Sequence, residues 1–75
     1  MLDIITSNSV VSDNIKRIIE QRGLKQSAIA KKAGFSVQEF NAMLNGRRIM
    51  RAVEIASIMD VLEVDANELF KKEGE

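Results

Sequence analysis

The stretch Ser36-Val37-Gln38-Glu39-Phe40-Asn41-Ala42-Met43-Leu44-Asn45 sets amides and small side chains among large apolar ones at helical intervals. On a helix turning about 100° per residue, Phe40, Met43 and Leu44 fall within about one third of the circumference. Val37, Gln38, Asn41, Ala42 and Asn45 share an arc of about 140° that largely avoids that side. The first group can anchor the helix to a core. The second is amide-bearing or small and carries no charge. Side-chain amides match the N6/N7 edge of adenine, and Val or Ala can touch a thymine methyl. An acidic side chain on that arc would repel phosphate, and none is present. An ordinary solvated helix is the competing reading of this segment taken alone.

Other chemistries lack their residues. The 75-residue chain has no Cys and no His. That removes disulfides, thiolate metal sites, the commonest zinc ligand and the commonest general base. Catalysis would then need Lys, Ser or carboxylates, and no pair of them stands at a usable spacing. An enzyme is not expected, nor is a cofactor, a metal or a small-molecule substrate. Three Phe without Trp or Tyr make a poor platform for stacking single-stranded bases. No apolar run approaches the ~20 residues that cross a bilayer. Met1-Leu2-Asp3-Ile4-Ile5 has neither the basic flank nor the apolar length of a secretory signal, so a cytoplasmic protein is expected.

The formal net charge is zero, but it is unevenly spread. From Asn14 to Arg51 nine bases face only Glu20 and Glu39, a net of +7. From Ala52 onward seven acids face Lys71 and Lys72, a net of −5. Such a division suits one face turned to a polyanion and another turned away from it.

The elements that would position these residues can be read from periodicity and punctuation. Ile15, Ile18 and Ile19 predict a first helix over about 13–22, with Ser12 as its N-cap and Gly23 after its end. A second, short helix covers about 26–32, its apolar residues being Ile29, Ala30 and Ala33. Gly34 then suits a left-handed turn position. Ser36 and Glu39 form a capping box that starts the third helix, 37 to about 45, which stops at Gly46. Arg47, Arg48, Ile49 and Met50 form a basic connection to a fourth helix. That helix reaches about Leu62 and carries Ile55, Ile58, Met59 and Leu62 on one face. Asp65 caps a last short helix, with Glu68 as its partner and an end near Phe70. Residues 1–11 are β-prone and read as an arm, a strand or disorder; 12–71 read as the domain and 72–75 as a tail. The expected class is all-α.

Two short helices joined by a glycine-containing turn make a helix-turn-helix. Several residues strengthen that reading together: Lys16-Arg17, Gln26, Ile29-Ala30, Gly34-Phe35-Ser36, Phe40, Gly46-Arg47-Arg48, Ile55, Ile58, Leu62-Glu63-Val64-Asp65 and Leu69. From Asn14 to Phe70 the combined pattern resembles the phage Cro and lambda-repressor type helix-turn-helix family. The resemblance implies a compact five-helix domain and a transcriptional regulator, a repressor, that binds double-stranded DNA as a homodimer. It implies base contacts from Val37, Gln38, Asn41 and Ala42. Backbone contacts would fall to Gln26, Ser36, Asn45, Arg47 and Arg48, and the structural turn to Gly34. The chain departs from the family in three places. Lys25 stands where Ser or Thr usually caps the second helix, Met50 where a proline is common, and Leu44 where a glutamate often sits.

Val53, Val61, Leu69 and Phe70 are the apolar candidates for a dimer contact. The rival function is a protein-interaction module of the same fold, an antitoxin or adaptor without specific DNA readout. Net neutrality and the acidic end favour that rival, whereas the +7 segment opposes it.

Overall fold

Helix α1 begins far earlier than the sequence pattern suggests. In the computed structural model, which describes residues 4–72, it spans Ile4–Gln21. The stretch expected to be an arm, a strand or disorder is therefore helical from residue 4; residues 1–3 lie outside the described residues. Val11, Ile15, Ile18 and Ile19 form one stripe at helical spacing, and all four are buried. Packing of that stripe outweighs the weak helix preference of the β-branched pair Val10-Val11. Ser12 accordingly caps nothing. It lies buried in mid-helix, and its hydroxyl donates to the Met43 carbonyl at 3.0 Å.

The remaining helices are α2 (Gln26–Ala33), α3 (Val37–Leu44), α4 (Ala52–Leu62) and α5 (Ala66–Leu69). Among the described residues there is no strand. Helix α2 packs on α3 and α4, while α1 packs on α3 and α5. One core joins them, with Val11, Ile15, Phe40, Met43, Met50, Ile58, Leu62 and Leu69 fully enclosed. Each such side chain contributes roughly 1.5–3 kcal/mol when taken out of water. Met50 thus belongs to the core rather than to a merely basic connection. Leu69 is also enclosed, which removes it from the candidates for a dimer contact. Val61 is half-buried against the same core, whereas Val53 and Phe70 stay exposed at 68% and 41%.

Polar side chains of α1 tie down distant backbone. Asn14 Nδ2 donates to the carbonyls of Leu69 at 2.7 Å and Lys71 at 2.8 Å, and its Oδ1 accepts from Arg17. This holds the short α5, which is only four residues long and too short to persist alone. Asn8 bonds the backbone of Met50 on both sides, accepting from its N–H and donating to its carbonyl. Arg22 donates to the Leu62 carbonyl at 2.6 Å, covering the end of α4. The last two helices and the loop before them are thereby fixed to α1.

Candidate nucleic-acid interface

The outward side of α3 is built by the devices at its two ends. Helix α2 closes on Gly34, whose φ of +88° lies in the left-handed region that costs a side chain about 1–2 kcal/mol. The Gly34 N–H donates to Lys31 and the Phe35 N–H to Ala30, which satisfies carbonyls at the helix end. Phe35 then stacks on Phe40, with ring centroids 6.2 Å apart and planes inclined by 18°. Ser36 Oγ accepts from the Glu39 N–H and Glu39 Oε1 from the Ser36 N–H, each at 3.0 Å. The predicted capping box is present in full. Those Ser36 bonds, led by the one from its amide, hold the Glu39 carboxyl below its ordinary range. The one acid of α3 is bent back onto its own helix start.

With Phe40, Met43 and Leu44 buried, the opposite arc faces outward as the periodicity predicts. Val37 is 45% exposed, Gln38 and Asn45 are exposed, and Asn41 and Ala42 are half-buried. Asn45 Nδ2 donates to Asn41 Oδ1 along this face.

Beyond α3 the chain turns at Gly46, φ +77°, and the Arg47 and Arg48 amides both donate to the Ala42 carbonyl. The two arginine side chains then part. Arg47 is exposed and has no side-chain partner among the described residues. Arg48 donates to Glu54 Oε2 at 2.8 Å and touches the Met43 sulfur at 2.9 Å. Glu54 is buried, 7% exposed, and accepts two further bonds: from the Arg51 N–H at 2.9 Å and the Arg51 guanidinium at 3.3 Å. These contacts, the Arg48 bond foremost and then the Arg51 amide, lower the Glu54 pKa from 4.5 to about 2 against the opposing effect of burial. Glu54 in turn raises the pKa of Arg48.

Sequence reasoning missed Glu54. The readable signal was its position three residues after Arg51, where an acid accepts the amide of the residue that begins a helix. Arg51 has no side-chain acceptor, so α4 starts on half of a capping box. Lys25 leaves α2 without a side-chain cap, as its chemistry dictates.

Asn45, Arg47 and Arg48 line one wall of a groove of about 550 Å³, and Asn8, Ser9, Ser12, Asp13 and Lys16 of α1 line the other. Lys16 pairs there with Asp13 at 3.6 Å, both largely exposed. Such a pair is too solvated to withhold the lysine from another anion. Gln26 opens α2, half-buried, and is not part of this groove. The geometry therefore unites Val37, Gln38, Asn41, Ala42 and Asn45 on α3 and sets Arg47 beside them. Arg48 lines the groove too, but its guanidinium is bonded to Glu54.

No helix among the described residues is long and apolar enough to cross a membrane. No curated protein and no solved structure matches the chain. A family model described as a helix-turn-helix domain matches residues 13–69, from within α1 to the end of α5. The match takes in α2, the Gly34 turn and α3 and covers well over half of the 75 residues, so the chain belongs to the helix-turn-helix domain family.

Proposed function

We propose that this chain is a transcriptional regulator that binds double-stranded DNA with α3 in the major groove. The observation that carries the reading is the outward face of α3: uncharged, rich in amides, and fixed at both ends. Val37, Gln38, Asn41 and Ala42 meet base edges, and Gln26, Ser36, Asn45 and Arg47 meet the sugar-phosphate backbone. Arg48, bonded to Glu54, shapes the loop and adds less to the phosphate contact than its charge suggests. One 75-residue domain offers few base contacts, so tight, specific binding calls for two copies. A two-fold dimer would set its half-sites about one helical turn, ~34 Å, apart. Of the four apolar candidates read from the sequence, Val53 and Phe70 are the exposed ones. Repression by blocking polymerase is the simplest outcome of such occupancy, and resemblance to the phage Cro and lambda-repressor type supports it.

The same two exposed apolar residues also suit a protein partner, the second reading. Retention on random DNA at low salt, lost at moderate salt, separates the two functions, because phosphate contacts release counterions and contacts between neutral surfaces do not.

The sharper test compares Gln38 with Arg47, after a binding duplex has been selected from a random pool. Gln38→Ala should cost about 1–3 kcal/mol on the selected duplex and leave random-duplex binding unchanged. Arg47→Ala should weaken both duplexes alike and reduce the slope of log affinity against log salt by about one. If both variants bound DNA as the parent does, α3 would not be the reading element; a parent that selects no duplex would put the protein-partner reading in its place.

A further inference from the structure

Asn8 and Ser12 stand one helical turn apart on α1, and both bond main-chain atoms around the exit from α3. Ser12 Oγ donates to the Met43 carbonyl at 3.0 Å, and the same carbonyl accepts the Gly46 N–H at 3.3 Å. Asn8 accepts from the Met50 N–H and donates to the Met50 carbonyl, the second bond being the longer at 3.4 Å. Residues 44–49, Arg47 among them, lie between these two anchored positions. The groups held at Met43 and Met50 belong to the backbone, so the bonds fix the path of the chain itself. Both anchoring residues precede the stretch 13–69 that the family model matches.

We propose that this part of α1 is a brace for DNA binding: Asn8 and Ser12 set the conformation in which the exit loop presents Arg47 to a phosphate. The proposal rests on the DNA-binding reading and adds positioning residues to it. Arg47 is exposed and has no side-chain partner among the described residues, so the backbone beneath it determines where its guanidinium reaches. Gly46, at φ +77°, places a conformationally permissive residue directly before it. A loose loop would lose freedom when Arg47 closes on a phosphate, and a loop already held in place loses less. The neighbouring Arg48 is secured separately, by its 2.8 Å bond to Glu54. The brace therefore acts on the arginine that the ion pair leaves outside. Neither Asn8 nor Ser12 has to touch DNA for this effect. A purely structural role would lower the melting temperature and leave binding by the folded protein unchanged.

The test measures equilibrium binding to a random-sequence duplex over a series of salt concentrations, well below the melting temperature of each variant. Asn8→Ala removes the anchor at Met50 without weakening α1, since Ala is the best helix former. It should reduce affinity by a factor up to that of Arg47→Ala. The slope of log affinity against log salt should become shallower by up to about one. Ser12→Ala should move both quantities in the same direction. Asn8→Ala combined with Arg47→Ala should bind as Arg47→Ala alone does, because Asn8 acts through Arg47. Ile58→Val shortens an enclosed side chain of α4 and leaves both anchors intact; it should lower the melting temperature and keep the parental affinity and slope. An Asn8→Ala protein with the parental affinity and slope would overturn the proposal, as would losses that add in the double variant. A parent protein that does not bind the random duplex at low salt would instead overturn the DNA-binding reading.

Discussion

Residues 33–36 lead into α3 through short-range bonds: Gly34 to Lys31, Phe35 to Ala30, and Ser36 with Glu39. Residues 45–51 lead out of it through a different kind of contact. There Met50 is held by Asn8, 42 positions away, and Arg48 and Arg51 by the buried carboxylate of Glu54. The entry is fixed by bonds between near neighbours, one of them to the exposed Glu39 carboxylate, and the exit by a buried carboxylate and by a distant helix. The difference matters for function, because the exit loop presents Arg47 while it neutralises Arg48. Both contain a carboxyl held below its ordinary range, but at the exit it is the buried Glu54, taken down to about 2, so the exit should depend the more strongly on acid pH.

The largest expected effect is at the exit. Glu54→Ala removes the acceptor of three bonds from Arg48 and Arg51, and should cost about 1.5–3 kcal/mol of stability. The folded Glu54 carboxyl gives up its proton more readily than the unfolded one. Its contribution is therefore complete above the ordinary 4.5 and is lost as pH falls through about 2. Urea denaturation across that range should show the loss in the parent and a flatter profile in Glu54→Gln. The same acid profile in both would break the contrast between the two regions.

An intermediate effect is expected at the entry. Gly34→Val should destabilise by at least about 1 kcal/mol and weaken DNA binding with it. A Cβ at Gly34 would meet nothing within 4 Å, so Gly34→Ala should show the backbone part of the loss without crowding. An unchanged melting temperature would count against this account of the turn.

The smallest effects compare two helix starts. Ser36→Ala should cost about 1 kcal/mol by removing the cap of α3. Lys25→Ser should add up to about 1 kcal/mol, because the Lys25 backbone is already extended (φ −90°, ψ 126°) and lacks only the oxygen. Thermal melts of the two variants moving in opposite directions would show that local capping operates on both sides of the turn. No gain at Lys25 would mean that packing of Ile29 and Ala30 already sets the start of α2.

Much of the fold and half of the site follow from neighbouring residues. Gly34, the Ser36–Glu39 box, the burial of Phe40, Met43 and Leu44, and the exposure of the opposite arc are consequences of helical period and turn chemistry. These interactions span only a few residues, so residue type and spacing suffice to specify them. The early start of α1 at Ile4 did not follow. A β-branched pair and a serine with capping chemistry outweigh the helical signal until Val11 and Ser12 have a core to pack against. Leu69 likewise reads as a surface residue until Asn14 brings the end of α5 against α1.

Residue types and spacing were enough to specify the helix-turn-helix, the starts of α2 and α3 and the uncharged outward arc of α3, because each depends on bonds within about one turn of helix. Which of two adjacent arginines is left without a side-chain partner depends instead on the folded loop. Arg47 and Arg48 are adjacent and chemically alike. What separates them is the path of the loop, set by Asn8 at Met50 and by the enclosed Met50 side chain, which carries Arg48 to within 2.8 Å of Glu54 and leaves Arg47 facing outward. An ion pair across a loop depends on where packing puts both groups, and spacing along the chain does not encode that position.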